Sequence, residues 1–519
     1  LLQVEPVGGA SSVPVAAAVS MHFGSPMAAG TEQFFDLHHG SLAGPTVPMH
    51  CTWGPDHSSV TCTHDPLEPG EHYMLHLGSG LTAGKNHIKI PQSDNLGGVN
   101  MSADDGKPVE QFGLDGEIME RMAPKRFEAG AIHGTDRAML TSIADRLLKL
   151  APTGRPDEAA SYIEIEARQY LDPEIFAHEK RAIFDKTPIV AGFSCDVAKP
   201  GDYMKVEGFD TPMFITRTKA GEVKAFVNSC RHRGAALVYN DRGEGQHSFS
   251  CPYHGWTYDS SGKLFGVPCQ EGFAGLDKAK YGLIEVPAEE FAGLIFVSPR
   301  ADVPLDLDAH LGEQLKKELT HWSFGETYSA RTAPVELPGN WKLVYDTFLE
   351  AYHFAAAHKN NLNNYFISNV NTVDTYGPHQ RMAVPYRTML TEYATQPEDT
   401  RAPENYMIGS YQLFPGIILI SSAQVVEVFR IAPISVDRTM VYHSCYSRLP
   451  LDNEQNKALF EMIWQSAHNI VMNEDFPFGV TTAQRGLESG SLKTLVIGAN
   501  ELAIQNNYKA IAAALAKTK

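Results

Sequence analysis

Short hydrophobic runs separated by turn residues dominate the middle of the chain. Between Pro188 and Pro299 these runs are β-branched or aromatic and are divided by Gly and Asp, which predicts an all-β domain. Beyond residue 300, helical and strand patterns alternate. Helices are predicted at 307–320, 340–358, 453–474 and 497–517, and strands at 381–390, 409–421, 423–433 and 438–448. We therefore expect an α+β domain, with a twisted antiparallel sheet and helices packed on one side.

The first hundred residues follow a different pattern. Short runs such as Val60–Cys62 and His72–Leu77 are split by Pro and Gly turns, which predicts a small β-sandwich-like module. Residues 92–138 are polar and weakly periodic, and we interpret them as a linker. Met139 then opens an amphipathic helix. One hypothesis is that Met139 is the natural start of an enzyme and that residues 1–138 are a fusion or an assembly artefact.

Composition narrows the functional classes. The 519 residues carry a formal net charge of -18, which disfavours nonspecific binding to nucleic acid or anionic membranes. No apolar run reaches the ~18 residues that a membrane-spanning helix needs. The seven cysteines are odd in number and few for this length, which argues against a disulfide scaffold. Cys230 and Cys251 lie in metal-ligand patterns, which points to a reducing, cytoplasmic setting for at least this part of the chain.

Two Cys-His motifs lie in the all-β region. Cys230-x-His232 is followed by Cys251-x-x-His254, and each motif follows a strand-like run. Loops at neighbouring strand ends can close on one metal centre, and two thiolates with two imidazoles suit a tetrahedral zinc or a two-iron cluster. The Cys-His order and the two gaps favour a [2Fe–2S] cluster, in which the cysteines hold one iron and the histidines hold the other.

The sequences around these motifs support the cluster. "CRHRGAALV" and "CPYHGWTYDSSGKL" closely resemble the two cluster-binding boxes of Rieske oxygenases. Gly234 and Gly255 would let the backbone approach the cluster, where N–H groups can bond its sulfides. The extra residues "YNDRGEGQ" between the boxes predict a loop tip. The alternative is a zinc finger or a chance match.

A second constellation contains Glu350, His353 and His358, in the segment "NWKLVYDTFLEAYHFAAAHKNN". Five residues on a regular helix turn through about 500°, so one metal can bind both histidines only where the helix ends, bends or bulges. We therefore predict irregular backbone around Phe354–His358, for which a π-bulge would serve. Taken singly, each of these residues is more often a surface or core residue than a ligand.

The Asn-Trp-Lys at 340–342 and the residues after it resemble the iron-binding helix of aromatic-ring-hydroxylating oxygenase α-subunits. The resemblance implies that His353 and His358 bind a mononuclear Fe(II). It also implies a third, carboxylate ligand before a Gln-Arg-Gly-Leu segment, which here is Asp475, with Glu474 as the fallback. Such a 2-His-1-carboxylate set leaves open positions for O₂.

The resemblance assigns Glu350 a catalytic role between two metal centres. Family members carry Asp or Glu at this position, which links the cluster of one subunit to the iron of its neighbour. Such a carboxylate accepts hydrogen bonds from a cluster histidine and an iron-ligand histidine, fixes their tautomers and offers an electron path. Asp346 and Thr347 replace a Glu-Asn pair that is frequent in the family.

The resemblance covers about residues 155–519 and implies a terminal oxygenase with a Rieske [2Fe–2S] cluster and mononuclear Fe(II). Electrons would come from a reductase, with or without a ferredoxin, and O₂ would hydroxylate a small organic substrate, foremost an aromatic one. The alternatives are a monooxygenase or demethylase acting on a methoxy or quaternary-amine substrate, and an electron carrier with an inert C-terminal half. The family implies a homotrimer or an α₃β₃ assembly.

These expectations divide the chain into five parts. The stretch "DPLEPGEHYMLHLGSGLTAGKNHIKI" loosely resembles bacterial immunoglobulin-like modules, and its irregularly spaced histidines do not favour a specific metal site. The predicted parts are an immunoglobulin-like β module at 1–91, a linker at 92–138, an N-terminal helical part of the oxygenase at 139–187, a Rieske domain at 188–299 and a mononuclear iron domain at 300–519.

Overall fold

A computed structural model describes residues 46–55, 59–64, 137–397 and 401–517, together with the backbone of four short strands at 3–5, 19–22, 35–39 and 73–77. The chain divides into two compact units, Leu1–Asp115 and Gly116–Lys519. Among the described helices, none combines the length and the apolar character that crossing a bilayer requires. The five boundaries expected from the sequence stay a prediction.

The first unit contains two small antiparallel sheets, with strand orders β1-β2-β6-β5 and β4-β3-β7. Its strands are Gln3–Glu5 (β1), Val19–His22 (β2), Phe35–His39 (β3), Thr46–Val47 (β4), Met49–Trp53 (β5), Ser59–His64 (β6) and Tyr73–Leu77 (β7). The β5–β6 register sets Cys51 opposite Cys62, and a disulfide joins them. This bond was not expected, because the low, odd cysteine count argued against a disulfide scaffold.

A helical segment opens the described part of the second unit. Helix α1, Arg137–Leu150, includes the residues expected to form an amphipathic helix and buries Leu140, Ile143 and Leu147. It is followed by the elements Ile163–Glu166 (β8), Arg168–Leu171 (α2), Pro173–Glu179 (α3) and a π-helical turn at Lys180–Phe184.

The all-β region between Pro188 and Pro299 is confirmed. Its strands are Ile189–Phe193 (β9), Tyr203–Val206 (β10), Met213–Arg217 (β11), Val223–Val227 (β12), Arg242–Gly243 (β13), Ser248–Ser250 (β14), Thr257–Asp259 (β15), Leu264–Gly266 (β16), Glu285–Val286 (β17), Ala288–Phe291 (β18) and Leu294–Val297 (β19). They form three antiparallel sheets, β13-β10-β11-β12-β17, β14-β15-β16 and β18-β19-β9. The two Cys-His motifs therefore lie on the loop after β12 and on the turn between β14 and β15.

The α+β domain is built on a seven-stranded antiparallel sheet of order β20-β26-β25-β24-β23-β22-β21. The strands are Tyr328–Leu337 (β20), Thr372–Tyr376 (β21), His379–Pro385 (β22), Met407–Leu413 (β23), Ile417–Ser421 (β24), Val425–Ser435 (β25), Arg438–Ser447 (β26) and Thr494–Ile497 (β27), the last paired with β8. The helices are Leu307–His321 (α4), Trp341–Asp346 (α5), Phe354–Ala357 (α6), Leu362–Tyr365 (α7), Thr388–Thr391 (α8), Glu454–Ile470 (α9), Ala483–Glu488 (α10) and Leu502–Ala516 (α11).

Two strand predictions were wrong in their bounds. The single strand expected at 409–421 is a hairpin, because Pro415 offers no N–H to the ladder and Gly416 follows it, so that β23 and β24 are separate strands. The strand expected at 381–390 ends at Pro385, and its last residues enter α8. Tertiary pairing, rather than local hydrophobicity, sets these ends.

Helices cover both faces of the sheet, rather than one face as expected. On the outer face, which carries Leu419 and Val428, α1 and α4 pack. On the inner face, which carries Ile418, Phe429 and Val441, α5 and α11 pack. Strand β22 is buried along its whole length, and a strand with two buried faces needs cover on both sides.

A buried ion pair anchors α5 beneath the predicted iron site. Lys342 Nζ donates to Glu179 Oε1 at 2.7 Å, and Trp341 Nε1 donates to Glu179 Oε2 at 2.8 Å. The Asn340 side chain caps the helix by accepting the Lys342 N–H at 3.0 Å. Breaking so deeply buried a pair is costly, so the Asn-Trp-Lys segment fixes the position of the chain that leads to Glu350.

Candidate metal centres

The two Cys-His loops share one backbone conformation. In each loop the cysteine carbonyl accepts an N–H from the glycine four residues later, from Gly234 to Cys230 and from Gly255 to Cys251, both at 2.9 Å. The two glycines have φ of 78° and 71°, in the left-handed region that residues with a side chain rarely adopt. This turn is the physical reason for a glycine at the same place in both motifs.

The four motif side chains converge between the loops. The rings of His232 and His254 have centroids 4.6 Å apart, and Cys251 lies beside Cys230. The Nδ1 of His232 is buried without a hydrogen-bond partner among the described residues. A buried ring nitrogen normally has a partner, and a metal bound to this nitrogen would supply one. Both cysteines are buried and neither forms a disulfide, so both sulfurs are free to act as thiolate ligands.

These donors suit either metal that the motifs left open. Two thiolates and two imidazoles can bind a tetrahedral zinc, and they can equally bind a two-iron cluster in which the sulfurs hold one iron and the nitrogens hold the other. In the described part of the chain, one group of three His, Cys, Asp or Glu residues has its ligand atoms within 4.8 Å of one another, and that group lies elsewhere.

The compact group of three donors is His353, His358 and Asp475. The Nε2 atoms of His353 and His358 lie 3.3 and 3.1 Å from the same Asp475 oxygen, Oδ1. His358 is fully buried, and Asp475 is nearly so. Two imidazole nitrogens and one carboxylate meeting at a point form a donor set that fits a mononuclear Fe(II), with further positions left for other ligands.

The helix expected at 340–358 is interrupted at 347–353, ahead of both histidines, whereas in the expected irregular segment Phe354–Ala357 is helical and only His358 leaves the helical conformation. Helix α5 ends at Asp346, and the next helix, α6, has only four residues. His353 precedes α6 and His358 ends it with φ of −108° and ψ of 37°, so the two rings need not follow one helical rotation. The π-helical geometry lies at the carboxylate instead, in Val471–Thr482, which carries Asp475.

A carboxylate holds the far nitrogen of each histidine. Glu350 contacts Nδ1 of His353 and also accepts the His353 backbone N–H at 3.0 Å. Glu474 Oε2 lies 2.5 Å from Nδ1 of His358, and its other oxygen accepts the Asn361 side-chain N–H at 2.6 Å. Such outer partners fix the ring orientation, so that both Nε2 atoms point toward Asp475 and are placed to serve as metal donors.

The electrostatics of this group favour a bound cation. Burial lowers the pKa of His353, but the charge of Glu350 and hydrogen bonds to Glu350 and Asp475 outweigh it and raise that pKa to about 10. Burial would raise the pKa of Asp475, yet the hydrogen bonds and charges of His353 and His358 hold it below its usual value. Three carboxylates surround two imidazoles, so positive charge is in deficit until a metal binds.

The sequence had missed two of these partners. Glu474 entered only as a fallback ligand, whereas the structure places it on the far side of His358, away from Asp475. Tyr258 was not singled out, yet its hydroxyl lies 3.3 Å from Cys230 Sγ and accepts the Arg231 N–H at 3.0 Å. The position of Tyr258 after the second Cys-His motif did not indicate a contact with a cysteine, since tyrosines on strands are usually core residues.

Comparisons with known proteins match both regions of the second unit. Residues 319–517 match the family model for the ring hydroxylating alpha subunit (catalytic domain), and residues 187–282 match the Rieske [2Fe-2S] domain. The chain is 31% identical over 312 residues to 2-aminobenzenesulfonate 2,3-dioxygenase subunit alpha from an Alcaligenes species, covering 56% of this chain and 75% of that relative.

Two further similarities agree. Biphenyl 2,3-dioxygenase subunit alpha from Rhodococcus jostii is 34% identical over 194 residues, which span 36% of this chain but only 42% of that relative. The crystal structure of a quaternary ammonium Rieske monooxygenase shares the fold, with a TM-score of 0.59 at 22% identity, covering 71% of this chain and 98% of that one.

The fold and the two donor sets thus define an iron protein with a Rieske domain. The chain belongs to the family of ring-hydroxylating Rieske oxygenase α-subunits. The expected all-β Rieske domain and α+β catalytic domain are confirmed, and the cofactors of these domains are a [2Fe–2S] cluster and a mononuclear iron.

Proposed function

We propose that this chain is the catalytic subunit of a terminal oxygenase that uses O₂ and externally supplied electrons to hydroxylate a small organic substrate. One observation carries the proposal: a compact group of His353, His358 and Asp475 occurs in the same chain as the Rieske motifs. An electron carrier needs only the cluster and gains nothing from a second, buried donor set. A retained 2-His-1-carboxylate group therefore favours an oxygenase over a carrier.

The proposal assigns a role to each site residue. Cys230 and Cys251 would hold one iron of the cluster, His232 and His254 the other, and His353, His358 and Asp475 the mononuclear iron. When bound, the cluster supplies electrons one at a time and the mononuclear iron supplies the site for O₂. Glu350 would hold the proton on His353 Nδ1 and join the two centres, and Glu474 would orient His358.

The substrate is foremost an aromatic ring. The relatives named for biphenyl and 2-aminobenzenesulfonate are dioxygenases, and aromatic side chains surround the iron donors, with Phe354 5.0 Å from His353 and 5.5 Å from His358 between ring centroids. Dihydroxylation would consume O₂, two electrons and two protons and place both oxygen atoms in the product. The second candidate is a monooxygenase or demethylase, favoured by the fold shared with a quaternary ammonium monooxygenase; there one oxygen atom leaves as water.

The experiment that tests the function is a substrate screen with the purified, metal-loaded subunit and a surrogate reductase. Product and O₂ uptake are followed together under ¹⁸O₂, because uncoupled turnover consumes O₂ without product. Two labelled atoms in the product identify a dioxygenase, and one identifies a monooxygenase. If no substrate class gives a labelled product while the cluster still accepts electrons, the carrier is the better interpretation.

Electrons would arrive from a reductase, with or without a ferredoxin, and the working assembly would be a homotrimer or α₃β₃. Exposed aromatic side chains beside each centre support contact between subunits: Tyr253 is 57% exposed next to His254, and Tyr352 and Phe478 are each 59% exposed beside the iron donors. Since thiolate ligands must stay reduced, we also propose a cytoplasmic setting for this unit.

Co-expression of two inactive variants tests the inter-subunit path. Cys251→Ser should lose the cluster and His353→Ala the mononuclear iron, so each variant alone should be inactive. Mixed assemblies should regain turnover, because an intact cluster then faces an intact iron across a subunit boundary. Purification through two different tags isolates the mixed species. Mixed assemblies that stay inactive, although each half retains its own metal, would show that electrons do not cross between subunits.

Replacing Glu474 with glutamine tests its orienting role. We expect iron affinity at the mononuclear site to fall about 10- to 100-fold, the usual effect of losing an outer carboxylate partner of a ligand histidine. Iron titration of the apo site measures the change, and Glu488→Gln in α10 serves as the matched control. Complete loss of iron binding, equal to that of Asp475→Ala, would instead make Glu474 a direct ligand.

A further inference from the structure

A second polar group lies on the inner face of the sheet, away from the iron donors. Glu427 stands opposite Cys445 in the β25–β26 register, so His443, two residues earlier on β26, lies on the same face. Glu427 Oε2 and His443 Nε2 are 3.4 Å apart, but the two atoms are not aligned for a hydrogen bond. On its other side, His443 Nδ1 meets Nδ1 of His468, from α9, at 3.1 Å.

Among the described residues, the Glu427 carboxylate has no lysine or arginine as a counter-ion. Its side chain is only 19% exposed, yet no lysine or arginine nitrogen of the described residues lies within 4.0 Å of it, and no described group donates a hydrogen bond to it. His443 is fully buried, and its Nε2 has no hydrogen-bond partner among the described residues. A largely buried carboxylate without a hydrogen-bond donor is costly, and a buried imidazole nitrogen aimed at the same place adds to that cost. Both groups therefore indicate a ligand.

Aromatic rings surround this pair. The Phe429 ring stacks on His443 at 4.2 Å between centroids, and the Trp464 ring lies 4.7 Å from His443 on the α9 side. Phe348 lies 4.4 Å from Phe429 and 6.3 Å from Phe476, the residue after Asp475. A continuous aromatic wall thus leads from the polar pair to the iron donors.

A second wall of aromatic side chains, Phe354, Phe366 and Tyr386, also runs from the iron donors toward Glu427. Phe354, beside the iron histidines, lies 5.8 Å from Phe366, which stacks on Tyr386 at 4.7 Å. Burial raises the pKa of Tyr386, and the negative charge of Glu427 raises it further, so the field of this carboxylate extends to the second wall. The two walls have the iron donors at one end and Glu427 at the other.

We propose that Glu427 is a specificity-determining residue that recognises a positively charged, ammonium-type group on the substrate. This proposal rests on the proposed oxygenase function, and it names the substrate class of the same site. The carboxylate would neutralise the cation, and the faces of the surrounding rings would attract it through their quadrupoles. An uncharged hydrocarbon would instead leave the largely buried carboxylate without a cation beside it.

Binding to the metal-loaded enzyme without O₂ tests the proposal independently of turnover. Calorimetry compares tetramethylammonium, choline and benzyltrimethylammonium with 3,3-dimethylbutan-1-ol, the uncharged carbon isostere of choline. We expect at least one cation to bind about 10-fold or more tighter than the isostere, and Glu427→Gln to weaken that cation by about 10- to 100-fold. Glu336→Gln, an exposed carboxylate paired with Arg438 on the sheet edge, is the matched control and should bind the cation as the parent does.

The outcomes separate the two proposals. Cations that bind no better than the isostere, or an unchanged Kd in Glu427→Gln, overturn the recognition of a cation even if the enzyme oxygenates uncharged substrates. Glu427-dependent cation binding without any labelled product would leave this inference standing and count against the oxygenase. The visible spectrum of the cluster in Glu427→Gln shows whether the variant is folded, and Glu427→Asp, which keeps the charge, should recover part of the affinity.

Discussion

Replacing His353 with alanine is expected to abolish product formation while leaving the visible spectrum of the Rieske cluster unchanged. The imidazole supplies one of three donors that meet at the Asp475 oxygen, and two donors hold Fe(II) far more weakly than three. The cluster donors lie on separate loops of the all-β region, so their spectrum should not respond. Metal analysis should show the loss of one iron per chain, and product analysis the loss of turnover.

Lys359→Ala is the matched control, since Lys359 is exposed and follows His358 directly. It should retain iron and activity. Turnover that survives in His353→Ala would reject the mononuclear site and return the chain to an electron carrier or to an enzyme with another active site. Loss of the cluster spectrum would mean that the substitution disturbs the whole unit, and His353→Gln would then be the variant to measure.

Replacing Glu350 with glutamine is expected to lower turnover by about 100-fold while both metal centres stay bound. Glu350 contacts His353 Nδ1 and accepts the His353 backbone N–H. It therefore holds the orientation of the imidazole through the nitrogen that faces away from Asp475. Glutamine keeps the size but loses the charge that raises the pKa of His353 and holds its proton on Nδ1. Stopped-flow oxidation of the pre-reduced cluster by O₂ with substrate measures the step that should slow.

Glu501→Gln provides the comparison. Burial raises the pKa of Glu501 and the nearby charge of Glu350 raises it further, but Glu501 accepts its own hydrogen bond from the Gly498 N–H. We expect a much smaller effect there. If Glu350→Gln loses iron and activity in parallel, Glu350 only orients His353. If the cluster is oxidised at the parent rate, the electron path does not pass through this carboxylate.

The features that the sequence predicted well are local ones. The Cys-His motifs lie in two short loops, where the order of residues, a glycine in the left-handed region and the flanking strands are all encoded within a few positions. The change of hydrophobic period near residue 300 separated the all-β domain from the α+β domain. The spacing of His353 and His358 required the helix to end or bend between them, since a regular helix cannot turn both rings to one point, and the turn Phe354–Ala357 does end at His358, whose φ and ψ are not helical.

Other features depend on partners far along the chain. Asp475 and Glu474 are adjacent carboxylates, and their different positions follow from the π-helical turn that carries them and from His358, which is 117 residues away from Asp475. Glu427 and His443 come together only through the register of two strands, which a local pattern does not fix. The sequence by itself thus determined the kind of domains and the kind of donors. The tertiary structure alone decided that Glu474 lies on the far side of His358 from Asp475, and that no lysine or arginine of the described residues lies beside Glu427, because both depend on packing between segments that are distant in sequence.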